Sequence, residues 1–107
     1  MEIDEAQKLI LDEGLGEDGI VVAIRMGDIP SFDRMNQLLI ALETIYISLK
    51  GQKMIDRNLA LAFHGLTFHI QGNIDNMLDR GIHIPETFIQ DTMVRMFLII
   101  ESILEDE

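Results

Sequence analysis

The chain has no cysteine and no tryptophan, and only one tyrosine and two prolines in 107 residues. Without cysteine there can be no disulfide framework, no thiolate metal centre and no cysteine nucleophile. Long apolar runs are missing as well. Stretches such as Leu38 to Leu42 and Met96 to Ile100 reach five residues, against roughly 20 for a membrane-spanning helix, so no integral membrane role is expected. The N-terminus Met1-Glu2-Ile3-Asp4-Glu5 carries carboxylates where a secretory signal carries basic residues. The chain therefore reads as unexported and cytoplasmic. Basic residues are scarce, 8 Lys and Arg against 19 Asp and Glu, for a formal net charge of -11. A phosphate-backbone partner needs clustered cations for counterion release, so nucleic acid is not an expected partner.

What is present is apolar: 48% of residues are hydrophobic. Charge of this size with few apolar residues describes a disordered chain, but this content offsets the entropy of ordering. The length suits one domain, 1–107, able to bury a core without staples.

Three long segments have helical periodicity. Ser31 is placed to cap a helix after Pro30, and Met35, Leu38, Leu39, Leu42, Ile45, Tyr46 and Leu49 recur at three- and four-residue steps until Gly51. From about 54 to 78, Ile55, Leu59, Ala62, Phe63, Leu66, Ile70, Ile74 and Met77 fall on one arc, with Gly81 placed as the C-terminal stop. Pro85 and Glu86 suit a first turn, and Ile89, Met93, Met96, Phe97, Ile100, Ile103 and Leu104 form the face of a helix to about 104. Towards the N-terminus, Ile3, Ala6, Leu9 and Ile10 predict a short amphipathic helix ending before Gly14, with a turn over 14–19. Residues 20–26 are β-branched enough for a strand. Their only partner would be the three residues 82–84, so a short buried helix stopped by Gly27 is the better reading. The expected fold is an all-α, compact helical bundle of three long helices plus one or two short N-terminal helices.

Each long helix also carries a second apolar stripe: Ile40 and Ile47; Leu61 and Phe68; Val94 and Leu98. Gly65 and Gly72, a heptad apart beside Leu61 and Phe68, fit a close helix approach. Several large side chains left exposed together favour association, which makes a homodimer the expected partner state. The alternative is that the N-terminal helix and the 20–26 segment cover these stripes within one chain.

Chemical motifs are weak. Gly14-x-Gly16-x-x-Gly19 spells the dinucleotide fingerprint, but a helix precedes it and Asp12, Glu13, Glu17 and Asp18 would surround an anionic ligand. It reads as a turn, with Asp12 and Glu13 as solvated carboxylates. His64 and His69 are five residues apart, about 140° around a straight α-helix, and no Glu-x-x-His or zinc-helix spacing is present. An intersubunit metal site using His69 or His83 is the residual possibility; no metal and no cofactor are expected. Asp75-x-Met77-x-Asp79 with Glu86 puts methionine and arginine where a calcium loop needs an oxygen ligand and glycine. Ser31, Ser48 and Ser102 have no neighbouring base. Met35, Met77, Met93 and Met96 lie on main apolar faces and read as core filler. His69 and Asn73, one turn apart, form a candidate polar pocket.

No catalytic constellation emerges, so a noncatalytic helical protein acting by protein–protein interaction, with a homodimer as its partner state, is the expected function. Two alternatives stand beside it: an immunity-protein or antitoxin-like neutraliser of a basic partner, and a small-ligand-binding bundle around His69 and Asn73. The charge is segregated: residues 1–18 carry -6, residues 19–85 carry 0 and residues 86–107 carry -5. An acidic recognition surface must therefore use one or both ends.

Overall fold

In the computed structural model, which describes residues 1–105, the chain is all-α, with no strand among the described residues. Helix α1 spans Ile3–Leu15, α2 Ile20–Arg25 and α3 Phe32–Leu49. Helix α4 covers residues 57–79: α-helical Arg57–His64, a π-helical turn Gly65–His69, and α-helical Ile70–Asp79. Helix α5 covers residues 86–105 and has its own π turn, Phe88–Met93, before the α-helical Val94–Glu105. The radius of gyration is 13.5 Å, close to the roughly 13 Å of a compact chain of this length.

Local signals set the ends. The Ser31 hydroxyl accepts the Arg34 amide at 3.2 Å, and the Asp56 carboxylate accepts the amides of Asn58 and Leu59 at 3.0 and 3.2 Å. Both satisfy amides that have no partner within the first turn. The three glycines expected to stop helices, Gly27, Gly51 and Gly81, are the ones at positive φ (90°, 79° and 77°), a region costly for any side chain with a Cβ. Residues 20–25 are helical and bury Ile20, Val21 and Ile24.

Buried apolar side chains from all five helices join in one cluster. Helix α1 packs on α3 and α4, α2 packs on the second half of α4, and α5 packs on α3. Met35, Met77, Met93 and Met96 are all buried. Two of the expected helix limits and faces need correction. Helix α1 runs through Gly14 to Leu15, so the turn shortens to 16–19. Leu104 is 55% exposed, because Met96, Ile100 and Ile103 occupy the inward face and leave it beside Thr67 and Gln71 at the rim.

Glu13 is not solvated. At 6% exposure it is the buried charged residue of the described chain, and it receives a two-pronged ion pair from Arg34, Nε to Oε2 at 2.8 Å and Nη2 to Oε1 at 2.6 Å. Arg34 Nη2 also donates to the Asp18 carbonyl at 2.7 Å. One guanidinium thereby ties α1, the 16–19 turn and the first turn of α3. The hydrogen bonds to Glu13 hold Arg34 above its already high ordinary pKa, with burial opposing. A raised cation pKa contributes stability below the unfolded value that is lost only as pH rises through the folded one, here beyond the alkaline limit of ordinary work.

Removing one partner leaves the other uncompensated. Glu13→Ala and Arg34→Ala should each lower the unfolding free energy by about 2–3 kcal/mol, less than a fully buried pair because Arg34 is partly exposed. Urea denaturation of the two single variants and the double variant checks this. The double variant should be less destabilised than the sum of the singles.

Candidate functional site

The feature with most chemical content is the π turn in α4. The Ile70 amide donates to the Gly65 carbonyl, five residues back, and the Thr67 hydroxyl adds a 2.8 Å bond to the Phe63 carbonyl. A π turn holds more residues than an α turn, so positions five apart become neighbours. The expectation that His64 and His69 diverge by 140° fails for this reason: their ring centroids lie 5.0 Å apart with planes crossing at 84°. Phe68 stacks on His64 at 5.1 Å and 12°, and meets His69 edge-on at 5.8 Å. All three rings are exposed. Among the described residues no three or more His, Cys, Asp or Glu gather as a metal cluster, and His83 lies in the exposed connection between α4 and α5.

The second feature is the groove between the end of α1, α2 and α4. His69 and Asn73 both line it, with Gly14, Gly16, Val21 and Arg25, around a volume of about 370 Å³. The sequence pairing of His69 with Asn73 is thus a shared groove, though His69 is exposed and only Asn73 is half-buried. The glycine motif forms one wall of it. Gly14 faces Ala62 across the α1–α4 crossing, where a Cβ would lie 2.8 Å from the Ala62 Cβ and 2.9 Å from its carbonyl oxygen. Gly65 faces Gly14 in turn, with 3.0 Å from a built Cβ to the Gly14 carbonyl. Gly65 therefore serves contact within the chain rather than a surface beside Leu61 and Phe68. Gly72 has open space around it.

The third feature is the set of second stripes, none of which α1 or α2 covers. Ile40, Ile47, Leu61, Phe68, Val94 and Leu98 are all exposed, from 37% at Ile40 to 69% at Ile47. They divide between two places. Leu61 and Phe68 flank the histidines on α4, whereas Ile40 and Ile47 lie on α3 and Val94 and Leu98 on the α5 packed against it. There Arg95 bridges to Glu43 at 2.6 Å. Ile40 and Ile47 sit within one turn of Glu43, and Val94 and Leu98 within one turn of Arg95. Leu98 also shares a shallow cleft with Tyr46, Ile99 and Ser102.

The acidic ends do not share one helix pair. Residues 14–16 lie on the flank of α4 that carries His69 and Asn73, whereas Glu101 and Glu105 lie beside Thr67 and Gln71, roughly half a turn around α4. Part of the N-terminal charge is answered internally. Glu13 pairs with Arg34 and Asp12 with Lys8 at 2.8 Å, and the Lys8 ammonium is held above its ordinary pKa by that hydrogen bond and by the Asp12 charge. No helix among the described residues is long and apolar enough to cross a membrane. Comparison with protein-family models, curated proteins and solved structures finds no match.

Sequence reasoning passed over Glu13 and Arg34. The signal was available: Glu13 continues the stripe of Ala6 and Ile10 at helical spacing, and Arg34 directly precedes the buried Met35.

The two glycine environments predict opposite signs. Gly14→Ala should destabilise by about 1–3 kcal/mol, since Ala62 meets it with backbone as well as side chain. Gly72→Ala, in an uncrowded helix interior, should stabilise by about 0.5–1 kcal/mol. Thermal unfolding of both variants beside the native chain tests the assignment.

Proposed function

We propose that this protein is a noncatalytic helical interaction module that self-associates through the α3–α5 face. The observation that carries the reading is the exposure of Ile40 and Ile47 on α3 and of Val94 and Leu98 on the α5 packed beside it, with no segment of the described chain folded over them. A net charge of -11 opposes self-association, so a second copy needs a contact surface free of that charge. The α3–α5 face meets the need in part: Ile40 and Ile47 lie in the neutral middle of the chain, and the charges between the two helices, Arg95 and Glu43, are already paired. Two copies would bury eight side chains that are each about half exposed, a gross gain of about 8 kcal/mol. That compares with an association cost of at least about 4 kcal/mol, so the dimer is a weak one.

Sedimentation equilibrium from about 0.1 mM to about 3 mM should show a reversible dimer, since a net gain of about 4 kcal/mol corresponds to a Kd of about 1 mM. Ile47→Asp and Leu98→Asp should each shift it to monomer with helical circular dichroism unchanged. A clean monomer across the range sinks the reading.

A second reading, a small-ligand module, is favoured by the groove that holds His69, Asn73 and Arg25 together. Its volume is within the usual range for small-molecule sites, though its walls are more polar than most. Saturable amide shifts confined to Asn73, Arg25 and Gly16 on adding a cell-extract metabolite fraction would support it.

A further inference from the structure

A π turn is an uncommon departure from α geometry, and single π turns inside helices recur at functional sites. The two among the described residues do different work. In α5 the turn sends Phe88 and Met93 into the core, five residues apart and both buried. In α4 the turn presents His64 and His69 outward, side by side.

We propose that His64 and His69 form a binding site for one late first-row divalent cation, of the copper(II) and zinc class, with water completing the coordination shell. The ring separation fits. An imidazole nitrogen binds such an ion at about 2.0–2.1 Å, which puts the ring centroid about 3.2 Å from it, so two rings on one ion at a tetrahedral angle have centroids about 5 Å apart. The observed value is 5.0 Å. The histidine χ2 torsion is broad, and the ring centroid lies on its axis, so each imidazole can turn a nitrogen towards the shared point without changing that separation.

The Phe68 ring lies 5.1 Å from His64 and 5.8 Å from His69 and closes one side of the pair, so the ion is reached from the other. The donor type sets the class of ion. Two neutral nitrogens with open water positions suit copper(II), zinc or nickel(II), whereas magnesium and calcium require oxygen ligands. The acidic chain attracts cations in general, and Arg25 lines the groove on the His69 side. Entry is therefore from the His64 side, over the exposed face of α4.

The test uses the full chain titrated with zinc chloride and, separately, copper sulfate. Calorimetry should give about one ion per chain and a raised melting temperature. His64→Ala and His69→Ala should each weaken binding by about tenfold to a hundredfold, the factor lost when a two-point attachment becomes one-point. His83→Ala should leave it unchanged. Histidine ring resonances supply a readout that does not depend on variants folding: substoichiometric copper(II) should broaden His64 and His69 together and spare His83. Broadening of one histidine alone, equal broadening of all three, or no binding by about 1 mM metal would overturn the site, since that affinity is what any weak surface contact reaches.

Discussion

The fold turns on one guanidinium. Arg34 leaves the first turn of α3, takes the Glu13 carboxylate in a two-pronged grip, and reaches the Asp18 carbonyl with the same nitrogen. Those contacts fix where α1 ends, how the 16–19 turn closes and therefore where α2 starts. Without them, the end of α1 would hold a buried, unanswered charge at the place where Gly14 crosses Ala62 and Gly65. The crossing itself admits no Cβ at Gly14. Charge and close packing are thus two halves of one constraint, and the groove beside His69 and Asn73 is the space this constraint leaves.

Much of the architecture is legible in the residues because the physics there is local. Ser31 caps, Gly27, Gly51 and Gly81 stop, and the methionines and branched aliphatics repeat at helical spacing; each acts within a turn or two of itself. The stripes of Ile40 with Ile47 and of Val94 with Leu98 were legible for the same reason, since surplus apolar residues must lie off the main face. The exposure of the stripes depends on where α1 and α2 dock, and periodicity cannot say that.

What escaped was non-local or broke the repeat. Glu13 looked solvated beside Asp12 because its partner is 21 positions away, although its place on the Ala6 and Ile10 stripe carried the hint. Gly65 and Gly72 suggest a close helix approach, and the structure shows it at Gly65, against the Gly14 carbonyl, while Gly72 stays open. The histidines were separated by an angle that holds only for an α-helix. Glu13 turns on its partner on α3, Gly65 on the crossing of α1 over α4, and the histidines on the π turn.

The widened turn in α4 has a consequence for chain length. A π turn is an α turn with one residue too many, and the surplus is absorbed without unwinding the helix on either side. Losing a single residue between 65 and 69 would restore the ordinary repeat and keep a continuous helix, yet it would leave the two imidazoles four positions apart, with a different neighbour in the Phe68 place. Four positions on an α-helix again bring the rings to one face, so the pair would persist and the change would fall on its neighbour at the Phe68 place. A helix of the same residue types that is one shorter would keep the bundle and carry a different surface.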